Sequence, residues 1–397
     1  MSSSLDRIHT QILWDRLLAV VEEQAQTLVR TAFSTTVREA GDISAGVFDT
    51  GGRMLAQAVT GTPGHVNAMA ASVGFFLHKF PIGTLHPEDV LLTNDPWYGT
   101  GHLNDFTVIT PVFRHGRPVA LFAATSHIAD VGGLGFGPDG RQVFEEGLNI
   151  PMGYLFKAGR PNEVLLEILR ANVRDPMSAE GDLHSLAACN RAGVNSLLET
   201  MDEFGMDDLD HAGRTIIENS RRAMLDEIRK LPFGRWDNTM RIDGYDDPVD
   251  LVCSLSIGED GIDVDFSGTS PVCSHGINVP LTYTQAYASF GVRCVVGNDI
   301  PNNAGSLGVV RVGAPEGCIL NAHRPAAVSA RHAIGQMLPD VVLGCLEEPL
   351  DGQVPAEGAS CLFGPVFLGG RGLIPGSESE PFVINAFYTG GTGGRPG

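Results

Sequence analysis

Apolar residues recur at helical spacing in the first part of the chain and again in its middle. Residues 5–34 carry leucines and valines at intervals of three and four, and residues 65–80 repeat that pattern. Three further amphipathic segments lie within residues 161–230. Apolar positions at this spacing face one side of a helix, so we predict helices in all of these segments.

Short apolar runs separated by turn residues occupy the rest of the chain. Residues 46–56 hold two such runs about an Asp-Thr-Gly-Gly turn, which predicts a β-hairpin. From about residue 238 onward the pattern becomes strand-like, with alternating runs at 250–257 and 261–266 between glycine and proline turns. We therefore expect an α+β protein whose first half mixes helices and hairpins and whose second half is β-rich.

A second hairpin signal lies between residues 106 and 126. Two eight-residue apolar runs, 106–113 and 119–126, flank the short polar turn Arg-His-Gly-Arg-Pro. If the turn centres on His115-Gly116, the numbers of paired residues sum to about 231–232, as follows from antiparallel pairing. The open end of this hairpin then lies beside residues 105 and 127.

The residues at that open end can bind a metal. The pairing sets Asp105 opposite or beside His127, with Cα atoms roughly 4.5–5.5 Å apart. His102 lies one short turn before Asp105 and can fold back onto the same point. Two imidazoles and one carboxylate are a ligand set that a first-row divalent cation takes. Because the pattern of the chain changes near residue 236, we expect residues 1–236 to form a metal-binding catalytic domain and residues 237–397 to form a β-rich domain.

The spacing of these residues is weak evidence by itself. An HxxD motif is expected about 0.8 times by chance in such a chain, and a third one exists at His86 and Asp89. A single His or Asp in a glycine-rich loop is more often a turn-former or a hydrogen-bonded cap. Asp130, which follows His127 by three residues, is a partner that orients His127, a general base or a turn residue.

Two further residues have open interpretations. Asp42 follows the long N-terminal helix, and it is either a turn residue at the helix end or a fourth metal ligand from another element. His65 ends the loop Gly61-Thr-Pro-Gly-His65 ahead of a predicted helix. That loop either brings an imidazole or free backbone N–H groups toward an anion, or it is a plain Pro-Gly turn.

Charge and composition exclude several classes of protein. The formal net charge of −20 is unfavourable for binding to nucleic acid or to an anionic membrane surface. No run of about 18 apolar residues is present, so we expect no membrane span. The seven cysteines form no CxxC pair and no secretory signal precedes them, which favours reduced thiols in a soluble cytoplasmic protein. No nucleotide-binding fingerprint or phosphate loop occurs.

Several stretches together resemble the hydantoinase B/oxoprolinase family, in the family's order and over essentially the whole chain. They are His102-x-x-Asp105, His127-x-x-Asp130-Val-Gly-Gly133, Asp265-Phe-Ser-Gly-Thr-Ser-Pro271, Gly276-Ile-Asn278, Pro301-Asn-Asn-Ala-Gly305, Pro325-Ala-Ala-Val328 and Gly390-Gly-Thr-Gly-Gly-Arg-Pro396. Family chains usually run well beyond the last of these loops, so the resemblance implies that the second domain is truncated at its C-terminal end.

The resemblance implies specific site residues. It makes Asp42, His102, Asp105 and His127 the ligands of a divalent transition metal, zinc or manganese, and it leaves Asp130 and His65 as candidates for proton transfer. The segment Arg38-Glu-Ala-Gly-Asp-Ile-Ser44 keeps the Asp and the Ser of the family's pattern but departs from it just before Asp42. Asp42 is therefore the ligand that the resemblance supports least.

The resemblance also implies a division of labour between two subunits. A hydantoinase A-type partner binds ATP and phosphorylates an amide oxygen, and this subunit completes the hydrolysis of a hydantoin, 5-oxoproline or lactam ring. One alternative is a subunit of an ATP-dependent ketone carboxylase, which acts on acetone or acetophenone. Another is a non-catalytic assembly subunit in which the HxxD loops are structural.

Overall fold

The computed structural model describes residues 2–60, 62–358, 362–363, 366–369, 382–385, 388–389 and 393–394. Its helices are α1 (Ser2–Thr31), α2 (Thr35–Arg38), α3 (Pro63–Lys79), α4 (Glu163–Asn172), α5 (Pro176–Glu203), α6 (Asp210–Ile228), α7 (Leu281–Val295), α8 (Ala304–Leu307), α9 (His332–Gly335) and α10 (Leu338–Leu346). Short 3-10 helices cover Ile82–Thr84 and Val143–Glu145. The strands are β1 (Ile43–Phe48), β2 (Met54–Gln57), β3 (Val90–Thr93), β4 (Asp105–Arg114), β5 (Arg117–His127), β6 (Gly153–Lys157), β7 (Arg160–Pro161), β8 (Gly234–Ile242), β9 (Val249–Gly258), β10 (Gly261–Asp265), β11 (Val310–Gly313), β12 (Leu362–Phe363), β13 (Val366–Gly369), β14 (Phe382–Asn385) and β15 (Tyr388–Thr389).

The first half of the chain forms a seven-stranded antiparallel sheet. Its strand order is β2-β1-β5-β4-β3-β6-β7. The hairpin predicted at residues 46–56 is confirmed as the pair β1–β2, in which Val47 faces Ala56. Because β1 also pairs with β5, the two predicted hairpins lie side by side in one sheet.

The hairpin that carries the candidate ligands has the predicted register. Asp105 pairs with His127, so paired numbers sum to 232, and they sum to 231 after a bulge that follows Val112. His115 and Gly116 form the turn, with φ angles of 49° and 76°. Two positive φ angles give a turn whose twist matches that of the flanking strands, which is why this short connection sets the register.

Helices cover both faces of this hairpin. Phe106 and Phe122 belong to a core that includes buried residues of α1 and α5. Ile109 and Leu121 point to the other face and pack with residues of α3. Burial on both faces explains why these strands are continuous apolar runs in the sequence instead of alternating ones.

The second half contains a four-stranded sheet of order β11-β10-β9-β8. Strands β9 and β10 confirm the strands predicted at 250–257 and 261–266, and β10 pairs with β11 in parallel. Buried and half-buried residues alternate along β9, as expected for a sheet with one covered face. Helices α7 and α10 pack in the core on that face.

The helices predicted from apolar spacing are also confirmed. The segment 5–34 corresponds to α1, the segment 65–80 to α3, and the three amphipathic segments within 161–230 to α4, α5 and α6. Helices and sheets occur in both halves, which confirms the α+β class.

The predicted domain boundary near residue 236 falls inside β8. The buried residues of one core come from residues 17–216, joined by Val328, and those of the other come from residues 224–346. The two halves touch where α3 packs on α7 and where the segment around Val328 returns to the first half. The division into two domains at residue 236 stays a prediction.

The glycine-rich loop, the cysteines and the lengths of the helices were also subjects of predictions. The glycine-rich loop at residues 390–396 lies outside the described residues, apart from Gly393 and Gly394. The described cysteines, which exclude residue 361, are free thiols. Among the helices of the described residues, none is long and apolar enough to cross a membrane.

Candidate metal centre

Three side chains meet at the open end of the β4–β5 hairpin. Asp105 begins β4 and His127 ends β5, and the sheet register pairs them directly. Oδ1 of Asp105 lies 3.3 Å from Nδ1 of His127 and 2.7 Å from Nε2 of His102. All three side chains are buried, and they offer ligand atoms within 4.8 Å of one another. The sequence predicted this convergence from the hairpin register.

The two carboxylate oxygens of Asp105 have different surroundings. Oδ2 accepts hydrogen bonds from Oγ1 of Thr100 and, at 2.7 Å, from Nη2 of Arg331. It also lies 3.0 Å from Nε2 of His65. Oδ1 is buried and has no hydrogen-bond partner of acceptable geometry in the part of the chain that the structure describes. Because burying an unpaired carboxylate oxygen costs free energy, Oδ1 is placed to bind a cation.

His102 presents the same kind of unpaired atom. Its Nδ1 lies 3.2 Å from the carbonyl oxygen of Ser329. Because a carbonyl only accepts hydrogen bonds, Nδ1 carries the proton and Nε2 keeps its lone pair. No hydrogen bond of acceptable geometry from any described residue reaches Nε2. Histidines that bind metals usually donate their other N–H to a carbonyl or carboxylate, which fixes the tautomer in this way.

These distances test whether the three residues fit a divalent cation. Metal–ligand bonds of about 2.0–2.2 Å place two ligand atoms of one ion roughly 3.3–3.6 Å apart in tetrahedral coordination and roughly 2.8–3.1 Å apart at octahedral right angles. The 3.3 Å separation matches the tetrahedral range, and the 2.7 Å separation is slightly shorter than the octahedral one. Imidazole nitrogen with carboxylate oxygen suits a first-row ion. The residues therefore fit zinc or manganese.

Asp42 reaches the edge of this group from the start of β1. Its Oδ2 lies 3.8 Å from Nδ1 of His127, and its Oδ1 accepts a hydrogen bond of 2.7 Å from Oγ1 of Thr62. The side chain of Asp42 is 21% exposed, whereas those of His102, Asp105 and His127 are almost fully buried. The structure brings Asp42 to the site, and its role as a fourth ligand stays a prediction.

His65 joins the site from the first turn of α3. Its Nε2 lies between Oδ2 of Asp105 at 3.0 Å and Oδ1 of Asp42 at 3.5 Å. Its Nδ1 is buried, with no hydrogen-bond partner among the residues that the structure describes. The preceding Gly64 allows this approach, because a Cβ atom there would lie 2.2 Å from the ring of Tyr287 on α7. Pro63 and Gly64 are thus the first residues of α3 and not a separate turn, and this helix start delivers an imidazole to the carboxylates.

Asp130 makes contacts of a different kind. Its Oδ1 accepts hydrogen bonds from the backbone of Gly132 at 3.0 Å and from Nη1 of Arg174 at 2.6 Å. Its Oδ2 accepts a further bond from the backbone N–H of Arg174. These contacts hold the loop after β5 against the start of α5, as expected of the turn-residue alternative. A role of Asp130 in proton transfer stays a prediction.

Arg331 is a site residue that the sequence analysis missed. It contacts Asp105 directly, and its Nε donates a hydrogen bond of 2.6 Å to the carbonyl oxygen of Thr100. Its guanidinium lies 4.1 Å from the ring centroid of Tyr283. Gly101, with a φ of +95°, makes room for it, since a Cβ atom there would lie 2.7 Å from Cδ of Arg331.

Aromatic rings close the site on the side of the glycine-rich loop that follows β5. The ring centroid of Phe136 lies 5.0 Å from that of His127 and 5.4 Å from that of His102. Phe136 also stacks on His332, with centroids 4.8 Å apart. The sequence analysis missed His332 as well. The sequence did hold one signal for Arg331, because it is the only Lys, Arg, Asp or Glu among residues 326–335, most of which are small or apolar.

Burial and neighbouring charges shift the pKa values of His102, Asp105 and His65. Burial and then Arg331 lower the pKa of His102 to about 3, which keeps this ring neutral. Burial would raise the pKa of Asp105, but His102, His65 and Arg331 outweigh it and hold that pKa well below its usual range. Because the ring of His102 is neutral, the guanidinium of Arg331, 2.7 Å from Oδ2, supplies positive charge beside Asp105. Burial also lowers the pKa of His65, but Asp105 and Asp42 outweigh it and raise the pKa overall.

The third HxxD motif lies elsewhere in the fold. Asp89 directly precedes β3, at the opposite end of that strand from the candidate site. Its carboxylate accepts hydrogen bonds of 2.8 Å from the backbone of His86 and of Ala158. This motif is therefore an exposed turn whose Asp89 is buried and bound by backbone N–H groups, and it shows what the structural alternative looks like in this same chain.

Comparisons with known proteins give a consistent result. The family model described as Hydantoinase B/oxoprolinase matches residues 6–397. The chain is 29% identical over 412 residues to 5-oxoprolinase 1 from Arabidopsis thaliana, and the match covers 93% of this chain and 32% of that protein.

Two solved structures share the fold. The ATP-dependent caprolactamase from Pseudomonas jessenii matches with a TM-score of 0.81 at 24% identity, covering 89% of this chain and 62% of that one. The nucleotide-free acetone carboxylase matches with a TM-score of 0.87 at 18% identity, covering 98% and 54% respectively. The chain thus spans 32% to 62% of the length of these three proteins.

Proposed function

This chain belongs to the hydantoinase B/oxoprolinase family, and from that premise we propose that it is the metal-binding subunit of an ATP-dependent cyclic amidohydrolase. The substrate class is a hydantoin, 5-oxoproline or a lactam. One observation carries the proposal. Nε2 of His102 and Oδ1 of Asp105 are buried, lack hydrogen-bond partners among the described residues and face each other across 2.7 Å beside His127.

The residues of the site divide the work of holding a metal ion. His102, Asp105 and His127 would bind it, with Asp42 as a fourth ligand. A bound divalent cation supplies Lewis acidity and lowers the pKa of a water molecule at the site. Arg331 and Thr100 donate hydrogen bonds to the other oxygen of Asp105, which would leave Oδ1 available to a bound ion.

His65 is the best-placed residue for moving a proton. Its Nε2 lies near both Asp105 and Asp42, and those carboxylates favour its protonated form. A proton held there is within hydrogen-bond reach of the carboxylates that face the metal centre. Asp130, in contrast, is occupied by Arg174 and by the backbone of its own loop.

The chemistry of cyclic amides explains why ATP enters. Amide resonance makes the ring carbonyl a poor electrophile, and phosphorylation of its oxygen removes that resonance. Overall, the ring C–N bond is cleaved by water while ATP is converted to ADP and phosphate. We assign ATP to a hydantoinase A-type partner subunit. The caprolactamase that shares this fold is described as ATP-dependent, which supports a role of ATP in the reaction.

A ketone carboxylase is the second candidate. The acetone carboxylase structure matches 98% of this chain with a TM-score of 0.87. In that case the same metal centre would serve carboxylation of a ketone instead of hydrolysis. Bicarbonate decides between the two: an amidohydrolase turns over ATP with a cyclic amide alone, whereas a carboxylase requires bicarbonate and a ketone.

The test uses the full-length chain purified together with its hydantoinase A-type partner. ATP-dependent ring opening of a hydantoin, 5-oxoproline and caprolactam is measured for the wild type, for a His102→Ala/His127→Ala double variant and for His86→Ala. We expect the double variant to lose activity by at least about 100-fold and His86→Ala to keep it, since His86 belongs to the structural HxxD turn. Full activity of the double variant would mean that the HxxD loops are structural and that the subunit serves assembly. Ring opening by the full-length chain alone, without ATP, would refute the two-subunit assignment.

A further inference from the structure

Glu146 connects the loop after β5 with a segment of the second half of the chain. It follows the short helix Val143–Glu145 and is 2% exposed. Its Oε1 accepts hydrogen bonds of 2.7 Å from the backbone N–H groups of both Val328 and Ser329. We propose that Glu146 is a positioning residue for the metal centre, which holds this backbone so that Ser329 and Arg331 reach His102 and Asp105.

The contacts run from Glu146 to the ligands in two short steps. The carbonyl oxygen of Ser329, whose N–H is held by Glu146, lies 3.2 Å from Nδ1 of His102. Arg331, two residues further along, donates a hydrogen bond to Asp105. The same short segment therefore fixes the tautomer of His102 and orients the carboxylate of Asp105. A displacement of this backbone would disturb both ligands at once.

The side chain of Glu146 packs closely against two glycines, Gly140 and Gly276. A Cβ atom on Gly140 would lie 3.1 Å from Cγ of Glu146, and one on Gly276 would lie 3.1 Å from Oε1. Alongside, the backbone N–H of Val143 donates to the carbonyl oxygen of Pro325 at 3.0 Å. The loop that ends at Glu146 is thus docked along the segment that it holds.

The surroundings of the Glu146 carboxyl group disfavour its charged form. Oε2 of Glu146 is buried and has no hydrogen-bond partner within the described ranges of the chain. Burial raises the pKa of Glu146 to about 7, although the N–H groups of Ser329 and Val328 lower it, and the neighbouring Glu145 raises it further. Perturbed carboxyl groups of this kind concentrate at functional sites.

Asp89 provides a matched control within the same chain. It too is a buried carboxylate that accepts two backbone N–H groups, from His86 and Ala158, each at 2.8 Å. It lies at the other end of β3 and touches none of the candidate ligands in the hydrogen bonds of the described residues. Replacing it removes a comparable clamp without changing the metal centre.

The test measures the affinity of the full-length chain for Zn²⁺ and Mn²⁺ by competition with a chelator, and it measures the unfolding midpoint of each metal-free protein. We expect Glu146→Ala to weaken metal binding by about 10-fold or more, the range for residues that orient metal ligands. Asp89→Ala should lower the unfolding midpoint while its metal affinity stays that of the wild type. Equal affinity of Glu146→Ala and the wild type, or an equal loss of affinity in Asp89→Ala, would overturn the inference.

A second pair of variants decides the matter even if Glu146→Ala does not fold. Glu146→Gln keeps an oxygen that accepts both N–H groups and should retain the affinity, whereas Glu146→Asp is one methylene shorter and should weaken it. The opposite order would contradict a positioning role. The inference rests on the proposed function. A wild type that binds no metal would refute both, whereas a wild type that binds metal as tightly as Glu146→Ala and Glu146→Asp would refute this inference alone.

Discussion

Asp105 and His127 are direct partners in the register of the β4–β5 hairpin, and 3.3 Å separates Oδ1 of the aspartate from Nδ1 of the histidine. The pairing brings the two candidate ligands together from residues that are 22 positions apart in the sequence, 105 and 127. The site therefore depends on a turn at the far end of the hairpin as well as on the residues at its open end.

The turn gives the first prediction. Gly116→Val places a β-branched residue at a φ of 76° and should lower the free energy of unfolding by about 1–2 kcal/mol, because L-residues are strained there. Denaturant unfolding measures the change. Gly74→Ala is the control, since its Cβ meets nothing within 4 Å inside α3 and the substitution should stabilise the protein by up to about 1 kcal/mol. A neutral Gly116→Val would contradict the turn geometry.

The register shows which part of the site could be predicted from the sequence. Two apolar runs of equal length about a five-residue polar turn leave few ways to pair, so Asp105 and His127 followed from local patterns alone. Asp42 and His65 were suggested by their positions next to predicted elements. In the structure His65 lies beside both Asp42 and Asp105, and Asp42 lies beside His127.

Arg331, His332 and Glu146 could not be found in this way. Arg331 contacts Asp105 across 226 residues, and Glu146 contacts Ser329 across 183. Such contacts depend on how the two halves of the fold pack, and no local period in the sequence encodes that packing. The β-rich description of the second half was incomplete for the same reason, because α7 and α10 supply much of its core.

Arg331 gives the second prediction. Its guanidinium group donates hydrogen bonds to both Asp105 and the carbonyl oxygen of Thr100, and the single ammonium group of a lysine cannot make both contacts in the same geometry. Arg331→Lys should therefore weaken metal binding by about 10-fold or more, as loss of a residue that orients a ligand does. Chelator competition measures the affinity. Wild-type affinity in this variant would show that Arg331 does not orient Asp105.

Asp130 gives the third prediction. Because its carboxylate holds Arg174 and Gly132, Asp130→Asn should lower the free energy of unfolding by about 1–3 kcal/mol. Its kcat should fall by less than about tenfold, whereas loss of a general base costs about 10²–10⁴. His65→Gln, in contrast, should lower kcat by about 100-fold or more. A reversed order of the two variants would assign proton transfer to Asp130.

Glu146 gives the fourth prediction, which concerns pH. Its pKa rises from 4.5 in the unfolded chain to about 7 in the folded protein, so the folded state binds this proton more tightly. The stability that the protonated group contributes is complete below pH 4.5 and is lost as pH rises through about 7. Relative to Glu146→Gln, the wild type should lose up to about 3 kcal/mol over this window.

Urea unfolding of both proteins at pH 5 and pH 8, with a chelator present, measures that difference. Asp89→Asn serves as the control for a buried carboxylate elsewhere in the sheet. A difference between the wild type and Glu146→Gln that does not change with pH would show that the Glu146 carboxyl does not titrate in this range.

Metal content tests the central claim most directly. The full-length wild type and the His102→Ala/His127→Ala double variant are stripped with a chelator, reconstituted with Zn²⁺ or Mn²⁺, freed of excess metal and analysed for ions per chain. The account predicts about one ion per chain in the wild type and almost none in the double variant, because the three-residue set loses two of its ligands. A wild type without stoichiometric metal, or a double variant that retains it, would contradict the account.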